Sequence, residues 1–304
     1  MHALLRQTPK RALATLSNAH VNQPFAVFDR QAKRVQRDRA AVKKDGETSR
    51  TVDYLRNEVA ERMIERLLDV KRTYTSILDL GSGPGHFSRL IESHLTKKIV
   101  MMEMSDKLLK RDPDSEFEVP VERIHADEEN LLQVIEPNSQ EAIVSCLSLH
   151  WINDLPGLLV QIREALKPDG LFLAALLGGD SLFELRTALQ VAELEREGGI
   201  SPHISPMTDT RDITNLLGRA GFTLLTVDIE DVTVSYPSMF ELIEDLGDMG
   251  ENNAVIGSRP FMHRDTLMAA AAAYQSLHGN EDQTIPATFQ VIFLIGWKPQ
   301  PKQT

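Results

Sequence analysis

Apolar residues recur at helical spacing between residues 52 and 70, where Val52, Leu55, Val59, Met63 and Leu67 fall on one stripe. From Ser76 the pattern changes to short apolar runs separated by helical ones. These runs predict strands near 76–80, 98–103, 121–126, 141–147 and 170–177, with helices between them. One such helix, 156–166, stops at Lys167-Pro168-Asp169-Gly170, a turn that feeds the next strand. Strand–helix alternation of this kind predicts a parallel sheet covered on both faces. Beyond Leu177 the spacing predicts a helix over 180–197, a loop over 198–208, and a helix over 212–220 closed by Gly221. Strand material over 222–236, helices over 238–249 and 263–278, and an apolar strand over 288–297 complete the chain. The fold class is therefore α/β, a doubly wound sheet, with added helical segments near 180–208 and 238–280 that predict a lid.

The chemistry concentrates where the first strand ends. Ile77-Leu78-Asp79-Leu80 runs into Gly81-Ser82-Gly83-Pro84-Gly85, and a helical pattern is expected from His86. Glycines there let a ligand approach bare backbone. The dinucleotide fingerprint wants its third glycine one residue later, at His86. The tighter loop, with Asp79 before it, instead resembles motif I of class I S-adenosylmethionine (SAM) methyltransferases. Later strands add carboxylates in order: Glu103 ends the second and Asp127 the third. Glu103 suits a pair of ribose hydroxyls, a device NAD enzymes share. Asp127 suits an adenine amino group, and equally the N-cap of the segment after it. The order of the pieces selects SAM, and the resemblance implies the seven-stranded, mostly parallel Rossmann-like sheet of those methyltransferases, whose last strand is antiparallel. The expected cofactor-binding set is Asp79, Gly81, Ser82, Gly83, Gly85, Glu103, Met104, Asp127, Glu128 and Leu147.

Composition narrows the setting. The chain has 304 residues, 42% of them hydrophobic, enough for a substantial core. Its single cysteine, Cys146, lies in an apolar strand and reads as a core thiol; one cysteine excludes a disulfide framework and a cysteine-held cluster. No apolar run is long enough to span a bilayer. A net charge of −11 argues against nucleic acid as a partner. Charge is uneven, however: residues 1–28 carry Arg6, Lys10 and Arg11 and no Asp or Glu, among hydroxyl and small side chains, which reads as a mitochondrial targeting segment. The N-terminal segment 29–75 is basic and helical; its residues 30–44, with Arg30, Lys33, Arg34, Arg37, Arg39, Lys43 and Lys44, read as an exposed helix that suits an anionic membrane surface or a partner and equally a solvated face. Residues 76–304 form the SAM-binding domain. Acids gather at Glu193, Glu195 and Glu197 and again from Glu241 to Glu251, and read as solvated helix faces.

Longer phrases carry a sharper resemblance. Leu147-Ser148-Leu149-His150-Trp151-Ile152-Asn153-Asp154-Leu155-Pro156, Glu195-Arg196-Glu197-Gly198-Gly199, Ser201-Pro202-His203-Ile204-Ser205-Pro206 and Leu216 to Phe222 are similar to the mitochondrial complex I assembly factor 5 family, as are Met239-Phe240-Glu241-Leu242 and His263-Arg264-Asp265-Thr266. The resemblance runs from about Phe28 to Trp297. It implies a methyltransferase fold that hydroxylates an arginine of an iron–sulfur subunit of respiratory complex I during early assembly. It also implies a place in the mitochondrial matrix, peripheral to the inner membrane. Ser82 stands where the family often has cysteine, and Glu103 where it has aspartate; both keep the loop and carboxylate chemistry. A bacterial biotin-pathway methyltransferase family that esterifies an acyl-carrier substrate looks more distantly similar.

The residues themselves leave the catalyst open. His150 and Trp151 follow the fourth strand into the pocket: the histidine suits a general base, the indole a cation–π contact with a guanidinium or sulfonium, and each also suits a structural role. Asp154 reads as a helix N-cap. His125-Ala126-Asp127, with His150 or His203, has the residue types of an iron site, but Asp127 already has a cofactor role, so no metal is expected. Rival readings are a methyltransferase acting on a protein side chain or an acyl-carrier carboxylate, and a non-catalytic assembly chaperone.

Overall fold

The computed structural model describes residues 26–259 and 261–300. Most of the expected targeting segment lies outside the described residues, but its last three residues do not. Phe28 is buried, bridges to Val255, and sets its ring edge-on against Trp151.

Strands β1 (Ile77–Leu80), β2 (Ile99–Glu103), β3 (Val121–His125), β4 (Gln140–Cys146), β5 (Leu166–Leu177), β6 (Thr223–Tyr236) and β7 (Ile285–Trp297) form one seven-stranded sheet. Its order is β3-β2-β1-β4-β5-β7-β6, with β7 antiparallel to both neighbours. The chain reverses direction across the sheet between β1 and β4, and ligands of open α/β sheets sit at the carboxyl ends beside such a switch.

Helices cover both faces. They are α1 (Arg30–Val42), α2 (Glu47–Thr51), α3 (Tyr54–Asp69), α4 (Asp106–Leu109), α5 (Leu155–Ala165), α6 (Phe183–Glu197), α7 (Thr210–Ala220), α8 (Met239–Asp248) and α9 (Arg264–His278). On one face, Val59, Met63 and Leu67 of α3 and Leu185 and Leu189 of α6 pack with Tyr274 of α9 over Ile77, Val144 and Phe293. On the other, Leu158 and Ile162 of α5 and Leu217 of α7 cover Leu78, Ile143 and Phe172. Each fully buried aliphatic side chain there contributes about 1.5–3 kcal/mol. Cys146, expected in this core, is half-buried.

Two segments depart from the sequence reading. After Gly85 the expected helix is replaced by turns and a single 3-10 turn, Ser88–Leu90. The Ser88 hydroxyl reaches back to Asp79 at 2.7 Å, and Ile91 is already extended (ψ 121°), so the apolar spacing of Phe87, Ile91 and Leu95 is met by packed turns. The second departure is α1. It is helical, but Lys33 and Arg37 are buried, and the helix lies across the carboxyl edge of the sheet rather than in solvent. No helix among the described residues is long and apolar enough to cross a membrane.

Candidate functional site

The end of β1 sets the centre of the site. The amides of Gly81 and Ser82 both donate to the carbonyl of Met102 on β2, at 2.8 and 3.1 Å, which turns the chain sharply. Glycine is required at both ends of the loop. Gly81 has φ +69°, and a Cβ there would lie 2.1 Å from Ser148 Oγ; at Gly85 (φ +102°) it would lie 2.7 Å from the Phe117 ring. Asp79 is buried beneath the loop. Its Oδ2 accepts from Ser88, and Oδ1 has no partner. Burial pushes this carboxyl up to about 7, against the Ser88 hydrogen bond and helped by the charge of Glu103.

Glu103, fully buried at the end of β2, accepts from the Gly83 amide (3.1 Å) and the Ser105 amide (3.0 Å). The sequence therefore brings a carboxylate back onto the glycine loop, as the strand order requires. Its remaining partner comes from outside the sheet: Arg37 Nη1 of α1 lies 2.9 and 3.2 Å from its two oxygens. Asp127 caps the turn after β3 by accepting from the Glu129 amide, and also accepts from Arg30 Nη2 at 2.7 Å. The same guanidinium pairs with the fully buried Glu128, whose pKa is raised by burial against the pull of Arg30. The Met104 amide points at Glu128 Oε1 from 3.4 Å. Leu147 takes a positive φ of 52° and donates its amide to Ala175 on β5, which turns the chain out of β4 towards His150.

His150 and Trp151 sit on a 3-10 turn past β4. Burial lowers the His150 pKa, so the ring is neutral near pH 7; its Nε2 is 3.5 Å from Glu251 Oε2 without hydrogen-bond geometry. The Trp151 indole N–H donates to Glu251 at 2.6 Å. Over its ring face, 3.2 Å from the centroid, stands the side-chain nitrogen of Lys33, whose pKa burial lowers well below the usual lysine range. Lys33 also donates to the carbonyls of Gly250 (3.1 Å) and Asn252 (2.7 Å). Glu251, read from the sequence as part of a solvated acidic face, is instead turned inward and also accepts from Arg56. Burial alone would raise its pKa; His150, Arg56 and Lys33 around it hold the carboxyl well below the usual range. Trp151 and Glu251 form part of the wall of a largely apolar cavity of about 850 Å³, with Leu177 at the end of β5 and residues of α1, α6 and the 249–262 segment.

The cofactor set expected from the sequence thus lies along the carboxyl edge of β1 to β4, with Leu147 at the end of β4 and His150 and Trp151 on the turn just beyond it. The His-x-Asp pair does not converge with a third ligand. The His125 ring bonds the Met104 carbonyl at 3.0 Å, and His203 pairs with Glu193 at 2.7 Å. Among the described residues, no three His, Cys, Asp or Glu side chains gather as a metal set. Sequence reasoning missed Arg30, Lys33, Arg37, Arg56 and Glu251. The first three carried a signal: positions i, i+3 and i+7 form one stripe of a helix, and a basic stripe that faces inward needs acids to meet it.

The donor set fits SAM by its chemistry. Two strand-end carboxylates suit a sugar and a base, a partnerless buried Asp79 oxygen suits an ammonium, and Gly83, with only Leu108 near the place a Cβ would take, keeps the middle of the loop open. Comparison with known proteins places this geometry. A family model described as a methyltransferase domain matches residues 52–227. A candidate methyltransferase of Bacillus halodurans superposes with a TM-score of 0.55 at 15% identity, covering 78% of this chain and 98% of its own, a likeness of fold. "Arginine-hydroxylase NDUFAF5, mitochondrial" of Danio rerio is 46% identical over 92% of this chain and 85% of its own length. The human protein of that name is also 46% identical, over 91% of this chain and 78% of its own. The chain therefore belongs to the arginine-hydroxylase NDUFAF5 family, enzymes built on the methyltransferase fold.

Proposed function

We propose that this protein binds SAM and hydroxylates an arginine side chain of an iron–sulfur subunit of respiratory complex I, in the mitochondrial matrix at the inner membrane, during early assembly. The observation that carries the reading is identity of 46% across 92% of the chain to a protein named arginine-hydroxylase. Glu103 and the glycine loop would hold the sugar of the cofactor, Asp127 and Glu128 its base, and Asp79 its ammonium. SAM supplies an electrophilic sulfonium; it is not the source of the oxygen. Replacing a substrate C–H by C–OH draws one oxygen atom from dioxygen, and an external two-electron donor reduces the other to water. The chain's own residues bind, orient and dry the site: Leu177, Trp151 and the α6 side chains wall off solvent, and neutral His150 braces the turn after β4 against the Leu177 amide.

A second reading, carboxyl methylation of an acyl-carrier substrate, is favoured by the apolar cavity and by a Methylovorus relative named malonyl-[acyl-carrier protein] O-methyltransferase. It is 32% identical over 82% of this chain and 83% of its own length. Mass spectrometry of the client subunit, with and without this protein, separates the readings. An added oxygen on an arginine is expected. An added methyl moves the assignment to methyl transfer, and rescued assembly with no change in mass moves it to a chaperone.

A further inference from the structure

Among the described residues, one lysine has no exposed surface at all. Lys33 is fully buried, and burial, with the charges of Arg37, Arg56 and Arg30, lowers its pKa well below the usual lysine range; what hold its side-chain nitrogen are an indole face, two backbone carbonyls and the opposing pull of Glu251. None of the three belongs to α1. They come from the turn after β4 and from the Gly250–Asn252 segment, where the Gly250 and Glu251 amides bond the Gly247 and Leu246 carbonyls of α8 rather than α1. The indole is anchored by its N–H on Glu251, and Glu251 by Arg56 of α3. A rigid aromatic face with converging carbonyls and a carboxylate is a receptor for a cation, and a guanidinium fits it better than an ammonium. It stacks flat on indole while its N–H groups reach the two carbonyls.

The placement points the same way. The receptor lies past the carboxyl ends of β4 and β5, where open α/β sheets take their ligands. Trp151, Glu251 and Asn252 also line the 850 Å³ cavity, so the receptor borders that space once the lysine withdraws. The lysine's helix, moreover, is moored by Arg37 on Glu103 and by Arg30 on Asp127 and Glu128, the carboxylates assigned to the cofactor.

We propose that the Trp151 face, the Gly250 and Asn252 carbonyls and Glu251 form the seat for the substrate's guanidinium, and that Lys33 fills this seat as an internal stand-in until substrate displaces it. The proposal rests on the arginine reading above and adds where the arginine is held. Ligand hydroxyls or amines that engage Glu103 and Asp127 draw on the same acceptors as Arg37 and Arg30, so cofactor uptake loosens the helix that carries the stand-in.

The test is calorimetric, on the full chain with SAM present, using N-acetyl-arginine N-methylamide and its neutral citrulline counterpart as probes. Lys33→Met is expected to bind the arginine probe at least tenfold tighter than the unmodified protein and to leave the citrulline probe unchanged. Adding Trp151→Leu should abolish the gain. Lys33→Gln carries the same expectation should Lys33→Met show no cooperative melt. Equal affinity of both probes, or no gain with SAM uptake intact, overturns the seat while leaving arginine hydroxylation standing. A charge-specific gain with no oxygen added to the client does the reverse.

Discussion

Around the glycine loop, each acidic group is presented at the end of a parallel strand of the sheet, and its position follows from strand register: Glu103 pairs with His125 across β2 and β3, and the loop amides bond back to Met102. Across the pocket the facing groups have no such scaffold. Arg30, Lys33 and Arg37 lie on α1, and their neighbours Gly250, Asn252 and Asn253 lie on an irregular segment whose carbonyls bond chiefly to α1 itself. The Asp29 amide donates to Ala254, and the Ile256 amide donates to Val27. One half is held by the sheet, the other by a helix and a loop that hold each other. The sheet-held half should keep its shape when the other moves; the helix-held half should loosen as a unit.

The largest break in that contrast is Glu251→Ala. It removes the acceptor for Arg56 and Trp151 and leaves Arg56 a buried cation short of its counter-charge. A loss of about 3–5 kcal/mol in unfolding free energy is expected, read by denaturant titration, with faster amide exchange across 250–256 and α1 and little change at β1–β2. Uniform loss of protection across both halves would show that they are not separable.

Next in size is a pH effect confined to the sheet-held half. Asp79 titrates near 7 in the folded chain, above its ordinary carboxylate value. A carboxyl raised on folding stabilises the protein fully below its unfolded pKa, and that stability fades as pH climbs through the folded value. Stability should therefore fall between about pH 4 and 7 by as much as about 3–4 kcal/mol, since a tenfold change in proton affinity is worth about 1.4 kcal/mol. Asp79→Asn should flatten that slope, measured by melts across the range. An ammonium-bearing ligand at Asp79 should bind more tightly as pH rises through 7, because it favours the ionised carboxylate. A slope that survives the substitution would place the titrating group elsewhere.

Gly85→Ala should cost less, about 1–3 kcal/mol, because its Cβ meets the Phe117 ring and the flexible end of Met101 at 2.7 and 2.8 Å, and φ is +102°. Its effect on SAM uptake, read by calorimetry, should exceed its effect on α1 exchange.

The same division explains what the sequence discloses. The positions of β1, β2, β4 and β5 are legible because buried parallel strands are apolar runs broken by turns, and β3, half-exposed at the sheet edge, is legible by its place in the strand–helix alternation. Asp127 and Asp154 cap the turns that their residue type favours, accepting from the Glu129 and Gly157 amides. The turn after Gly85 is less legible because Phe87, Ile91 and Leu95 satisfy a helical period and a packed set of turns equally well. The α1 side was opaque for a different reason. Its composition, basic and poor in apolar residues, is that of a solvated helix, and only the positions of Glu103, Glu128 and Trp151, all brought from distant strands, give its cations somewhere to go. Glu251 was hidden in the same way, one acid among several whose inward direction is set by Arg56 and Trp151.

The smallest predicted effect tests the mooring of α1 most directly. Asp29 caps the helix, its carboxylate accepting from the Ala32 amide at 2.9 Å, while its own amide bonds Ala254. Asp29→Ala removes the side-chain cap and keeps the backbone bond, for about 1 kcal/mol. Arg37 and Arg30 still hold their carboxylates, so the helix should stay docked and the global melt should barely move. What should change is local: the amides of the first turn of α1 should exchange about fivefold faster, since 1 kcal/mol at 25 °C is a factor of about five, with Gly81 to Gly85 unaffected. If the loop amides quicken in step with α1, the cofactor half depends on the strap as much as on the sheet. The carboxyl edge would then be one cooperative unit rather than two.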